Sequence, residues 1–148
     1  MILTFVELSK NTELNHIIDR LRQEDDYTYK HSIVVALISG IIGTAIGLLD
    51  LELSDLTGAA FLHDIGKTRI SKEVLNKPGK LTSDEFNQMK NHTIYGFEII
   101  RSLGIPHRHA LVALQHHERE DGSGYPLGIK GSDIAPYSKI VNSSLLSS

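Results

Sequence analysis

The sequence predicts an all-α domain, a helical bundle of about six to eight helices. Apolar residues recur at spacings of three and four along most of the 148-residue chain. No stretch shows the two-residue alternation of a half-buried strand. Helix-starting and helix-stopping residues, Thr82, Gly104 and Pro106 among them, fall at the edges of the apolar runs. With 41% hydrophobic and 22% charged residues the chain suits one domain with a real core. A net charge of -3 argues against DNA or RNA as a partner, since such binders usually carry a basic excess. The absence of cysteine excludes disulfides, thiolate metal sites and cysteine nucleophiles. Any metal must be held by histidine and carboxylate.

Taken in order, Met1–Glu7 is apolar at its start but has no basic flank or cleavage site, so it is not a signal peptide, and the expected location is cytoplasmic. Residues 9 to 24 carry Leu14, Ile17, Ile18 and Leu21 on one helical face. Residues 1–27 are therefore set apart as an N-terminal helical segment, with the main domain over 28–148. From Ile33 to Leu49 run seventeen residues without a charge, at the lower edge of what spans a bilayer. Ala36, Gly40, Gly43 and Gly47 give that run a stripe of small residues. Acidic flanks at Asp50 and Glu52 and the lack of an aromatic belt favour a central buried helix and no membrane.

Ser54 is the expected N-cap of a helix that carries Leu56, Ala59, Ala60 and Leu62 into His63-Asp64, with Gly66 near its end. Pro78-Gly79 marks a turn, and Thr82 to Glu85 is a capping box opening a helix with Phe86 and Met89 on one face. His92 follows, with Tyr95, Ile99 and Leu103 on the same helix or a second one. Gly104-Ile105-Pro106 ends the stripe, and Pro106 at a first helical position opens the helix into His116-His117. Glycine and proline predict a loop from Asp121 to Gly131, then a last helix from Pro136 to Leu146.

Imidazole and carboxylate hold divalent transition ions well, and such ions lower the pKa of water toward neutrality. Neighbouring helical residues point about 100° apart, so a His-Asp or His-His pair can address two adjacent ions with the carboxylate bridging. Lys67, one turn after His63, is placed to meet a phosphate oxygen as a point charge. Taken alone, each element has a plainer meaning. His92 reads as a capping or surface histidine, His116-His117 as a polar helix end, and Gly122-Ser123-Gly124 as a flexible turn. His16, His107 and His109 read as solvated surface histidines, and His31 as equally a core histidine or a ligand.

Their coincidence in one order resembles the HD-GYP domain, a subgroup of the HD phosphohydrolase superfamily of bacterial cyclic di-GMP signalling. The resemblance covers roughly residues 28 to 142 and rests on His63-Asp64-Ile65-Gly66-Lys67, Leu75 to Thr82, Met89 to Gly96, and His116 to Pro126. It implies an HD-domain helical bundle with two divalent transition-metal ions, iron or manganese, and hydrolysis of cyclic di-GMP to pGpG or GMP. The resemblance assigns His31, His63, Asp64, His92, His116 and His117 to the metals. It makes Asp64 and Lys67 catalytic, and places Lys67, Asp121, Gly124, Tyr125 and Pro126 against substrate or a signalling partner such as a diguanylate cyclase (GGDEF) domain. Members with a third metal carry a glutamate where this chain has Tyr27, so two ions are expected. A further ligand aspartate of the family falls in register at Leu145, and the family's usual C-terminal helices are lacking. These departures imply weak or absent turnover and an apolar surface that a partner or a homodimer would cover. A catalytically degenerate module that binds cyclic di-GMP or a partner is the alternative. A generic nucleotide phosphohydrolase of the wider superfamily fits less well, because it lacks the Gly-Tyr-Pro loop.

Overall fold

The computed structural model describes residues 4–147; the first three residues, part of the apolar start, and Ser148 lie outside the described residues. The described chain is helical, without strands, in the order α1 (Phe5–Ser9), α2 (Thr12–Glu24), α3 (Asp26–Ala45), α4 (Asp50–Phe61), η1 (Ile65–Arg69), α5 (Lys72–Leu75), α6 (Ser83–Lys90), α7 (His92–Ser102), α8 (His107–Gln115), η2 (Gly131–Asp133) and α9 (Pro136–Ser147), where η marks a 3-10 turn. The all-α expectation holds.

Helices α4 and α8 are central. Leu56, Ala59 and Ala60 of α4 and Val112 of α8 bury against Val35 of α3 and Val141 of α9. Leu62, just past α4, and Ala110 and Ala113 of α8 bury instead with Leu8, Leu14, Ile99 and Ile100. Both helices therefore sit between two apolar clusters, and burial on two sides fixes where their C-terminal ends lie. Leu8 and Leu14 tie α1 and α2 into the same core as the motif-bearing helices.

Small residues set the close approaches. A Cβ at Gly43 would lie 2.8 Å from Leu53 and 2.9 Å from Leu56, and one at Gly40 would press on Thr57, so α3 lies tight against α4. Gly47 serves differently: at φ 93° it ends α3 in a left-handed turn. Gly66 matters most, because a Cβ there would overlap the His92 carbonyl oxygen. Only glycine lets η1 lie directly on the start of α7.

Three local expectations are corrected, and one left open is decided. Helix α4 starts at Asp50 and not after Ser54, since Glu52 reaches back to the Leu49 N–H at 3.3 Å and two acidic residues occupy the positive first turn. Pro106 is the cap preceding α8, with His107 the first helical residue. The apolar stripe after Thr82 belongs to two helices that meet at Asn91. Helix α3 is buried on one face only: Val35, Ala36, Ser39 and Gly43 face inward, whereas Ile33, Leu37 and Ile41 are exposed. An all-round apolar helix can bury only the faces its neighbours cover, here those toward α4 and α9. By length and composition α3 could also cross a membrane, and 33% of that span is buried inside the fold. The capping box at Thr82 forms as expected, the Thr82 hydroxyl accepting from the Glu85 N–H at 3.1 Å and Glu85 accepting from the Thr82 N–H at 2.9 Å.

Candidate metal centre

The ends of four helices meet at one pole of the bundle. The C-terminal end of α4 delivers His63 and Asp64, that of α8 delivers His116 and His117, the first residue of α7 is His92, and α3 contributes His31. Two of these are helix C-termini, whose carbonyl dipoles favour a cation. Potential ligand atoms of Asp64, His92, His116 and His117 lie within 4.8 Å of one another, as do those of His31, His63 and Asp64. Asp64 belongs to both groups. Its Oδ1 is 3.2 Å from His92 Nε2 and 3.3 Å from His116 Nε2, and its Oδ2 is 3.1 Å from His63 Nε2.

The imidazole tautomers follow from their outer contacts. His63 Nδ1 lies 2.6 Å from the Ala60 carbonyl, His92 Nδ1 2.6 Å from that of Met89, and His116 Nδ1 2.9 Å from that of Ala113. A carbonyl can only accept, so each Nδ1 carries a proton, and in the neutral ring each Nε2 turns a lone pair inward. His92 Nε2 and His116 Nε2 then face each other at 3.3 Å, two acceptors with no proton between them. His63 Nε2 and Asp64 Oδ1 are buried without a hydrogen-bond partner. Buried acceptors without donors are costly unless a cation joins them, so this donor set fits divalent metal.

The electrostatics agree. Burial works against ionisation of Asp64, but positive charge, of the His63 ring in its protonated form and of the Lys67 ammonium, outweighs it and holds the carboxyl well below its usual range. Burial pushes His116 down to about 4, and burial with the neighbouring His116 and His92 rings pushes His117 down to about 2. Burial also lowers half-buried His31. These imidazoles stay neutral near pH 7, which is the ligating form. Lys67 Nζ stands 3.5 Å from Asp64 Oδ2, at the rim of the cluster.

The loop after α8 folds back over the site. The Tyr125 N–H donates to the His117 carbonyl at 3.1 Å, and the Tyr125 ring lies nearly parallel to that of His117 with centroids 4.8 Å apart. Gly124 passes so close to His117, Glu118 and Arg119 that no side chain fits there, and the Tyr125-Pro126 peptide is cis. Asp121 is exposed and turned away, its carboxylate accepting from the Ser123 N–H at 2.9 Å and the Ser123 hydroxyl at 2.6 Å. It shapes the turn and touches none of the clustered side chains.

Sequence reasoning passed over two groups. Glu118 is fully buried, and its carboxylate accepts from the N–H groups of Leu127, Gly128 and Ile129 at 2.7, 2.9 and 3.3 Å. Its position beside the double histidine was the available signal. His109, read as solvated, is instead buried in α8 with Nε2 3.4 Å from Asp55 Oδ1 of α4. Seven residues before His116, it shares that residue's inward face.

A family model described as HD domain matches residues 11–144. The chain is an HD-domain protein of the HD-GYP type. A cyclic di-GMP phosphodiesterase of Thermotoga maritima is 42% identical to this HD domain over 82% of this chain and 34% of the relative. The cyclic di-GMP phosphodiesterase response regulator RpfG of Xanthomonas campestris is 39% identical over 92% of this chain and 36% of the relative. Among solved structures, an HDG"Y"P protein from Bdellovibrio bacteriovorus superposes with a TM-score of 0.68 at 25% identity, covering 81% of this chain and 40% of that one. This HD domain thus spans about a third of the length of the curated relatives it matches.

Proposed function

We propose that this HD domain is a metal-dependent phosphodiesterase that opens the 3′-5′ phosphodiester of cyclic di-GMP, yielding pGpG or GMP. Two divalent ions, iron or manganese, would be held by His31, His63 and Asp64 on one side and by Asp64, His92, His116 and His117 on the other. One observation carries the reading: a single buried carboxylate stands between two imidazole groups whose lone pairs converge on it. Relatives named for cyclic di-GMP hydrolysis support it. Bound in pairs, such ions supply Lewis-acid stabilisation of phosphoryl oxygens and a water of lowered pKa.

The chain's own groups do the rest. The carbonyls of Ala60, Met89 and Ala113 orient the imidazoles, and Asp64 supplies the negative charge that sets affinity. Lys67 neutralises a non-bridging phosphoryl oxygen as charge builds there. Tyr125, set by Gly124 and Pro126 against His117, walls the site on the loop side, and Asp121 shapes the turn that presents it.

A second reading has its own support. Leu145, where the family's further aspartate falls in register, packs against the apolar cluster of Val35, Leu56 and Val141. With one carboxylate fewer, the domain would bind cyclic di-GMP, or a GGDEF partner on the Gly-Tyr-Pro face, with little turnover. The test is protein purified without air, assayed for metal by elemental analysis and for pGpG and GMP release with manganese or ferrous iron. Product that disappears on chelation supports hydrolysis, and binding of cyclic di-GMP without product supports the second reading. Neither binding nor product, or cleavage of dNTPs instead, sinks both.

A further inference from the structure

One cleft beside the metal cluster takes no part in it. The segment from Lys80 to Thr82 and helix α6 enclose about 550 Å³, lined by Lys80, Thr82, Phe86, Asn87 and Lys90. Phe86 is 45% exposed and meets Tyr125 edge-on, with ring centroids 6.2 Å apart and planes at 77°. Since Tyr125 in turn lies on His117, aromatic rings run without a gap from the metal cluster to the cleft. Lys90 Nζ sits over both rings, 4.9 Å from the Phe86 centroid and 5.4 Å from that of Tyr125.

The charges sort the lysines. Lys67 has Asp64 and Lys77 has Glu85 as a carboxylate partner. Lys80 and Lys90 have none among the described residues. An exposed aromatic face beside two cations without carboxylates matches a nucleotide, whose base stacks on the ring and whose phosphate meets the ammonium groups. Helix geometry alone brings Lys90 over Phe86, four residues before it, whereas the contact of Lys90 with Tyr125 crosses to the loop that lies on His117.

We propose that this cleft is a second subsite, taking the half of a cyclic dinucleotide remote from the scissile phosphodiester, with its purine on Phe86 and its second phosphate between Lys80 and Lys90. The proposal rests on the phosphodiesterase reading and adds Phe86, which lies between the family-like segments, together with a role for Lys80 and Lys90 that the resemblance did not assign. Its test compares manganese-loaded wild type with Phe86→Ala, Phe86→Trp and the Lys80→Ala/Lys90→Ala pair on two substrates. These are cyclic di-GMP and bis(4-nitrophenyl) phosphate, which has neither a purine nor a second phosphate. Phe86→Ala and the lysine pair should each lower the ratio of kcat/KM for cyclic di-GMP to that for the small ester about ten-fold, through KM, while Phe86→Trp restores it. Where turnover is too slow to follow, the Kd of cyclic di-GMP by calorimetry replaces KM, with the same ten-fold weakening expected. Equal losses on both substrates, or an unchanged ratio, overturn the subsite while leaving the phosphodiesterase reading intact. Cleavage of the small ester alone by wild type, with no cyclic di-GMP binding, overturns both.

Discussion

Two buried carboxylates nine residues apart, Asp55 in α4 and Asp64 just beyond it, meet opposite company. Asp55 is gripped by the Arg108 guanidinium through Nε and through Nη2 at 2.9 Å, with His109 at 3.4 Å. Asp64 faces the Nε2 atoms of three imidazoles at 3.1 to 3.3 Å, and among the described residues its permanent cation is Lys67 at 3.5 Å. Arg108 brings a fixed charge and a fork of donors, so Asp55 is complete within the chain. Asp64 is surrounded by acceptors. A buried carboxylate matched by arginine holds the fold, whereas one matched by neutral imidazoles is left for a metal from outside.

Crossed substitutions test that contrast. Asp64→Ala should lower turnover at least about 1000-fold, since it removes the group shared by both ligand sets. Elemental analysis should find the metal gone, while denaturation of the metal-free protein changes little. Asp55→Ala should do the reverse. It leaves His109 buried without a carboxylate and Arg108 without its partner, at a cost of about 3 kcal/mol, the low end for a broken buried pair because Arg108 can turn to water. Its metal content should match wild type. If both variants lose metal and stability alike, the two carboxylates are not distinct in kind.

A third experiment sharpens the Asp55 side through pH. Burial pushes His109 down to about 4, and the Asp55 charge that would raise it is already answered by Arg108. The unfolded chain takes up a proton near pH 6.5 that the folded chain refuses until about pH 4, so stability falls as pH drops through that window. Above it, the group has no effect. Burial lowers His116 and His117 as well, so the measurement is a difference: at pH 5, metal-free His109→Gln should lose about 2 kcal/mol less than wild type relative to pH 7.5. Equal slopes in urea-denaturation stability against pH would place a proton on His109 in the native state.

How much of this was legible in the sequence follows from where the partners lie. Helices announce themselves locally, through three- and four-residue spacing and caps such as Thr82 with Glu85, and their order was readable. His63-Asp64 and His116-His117 were legible as adjacent ligand pairs, and the isolated His92 joined them through the resemblance to HD-GYP domains. His109 was much less so: its seven-residue spacing from His116 hints at an inward face, but its partner Asp55 lies 54 residues away. Nor could spacing reveal that α3 leaves Ile33, Leu37 and Ile41 uncovered, since exposure depends on which helices come to lie beside it.

Glu118 is a third buried carboxylate, and it divides the contrast differently, being matched neither by arginine nor by imidazole but by the three N–H groups of the loop it closes. The Asn142 side-chain amide donates to its backbone carbonyl, so α9 grips the same residue. Its effect on the site is therefore indirect: by holding Leu127 to Ile129 it fixes the return of the loop that lays Tyr125 on His117. Glu118→Gln keeps the shape but turns an amide donor toward one of those N–H groups, which should cost about 1–2 kcal/mol of loop stability. Activity should fall roughly ten-fold, as for other residues that orient a metal ligand. Hydrogen exchange should quicken at Leu127, Gly128 and Ile129 with metal content unchanged. Faster exchange throughout α8 would mean instead that Glu118 supports the core, and then the loop's hold on Tyr125 must come from Gly124 and the His117 carbonyl alone.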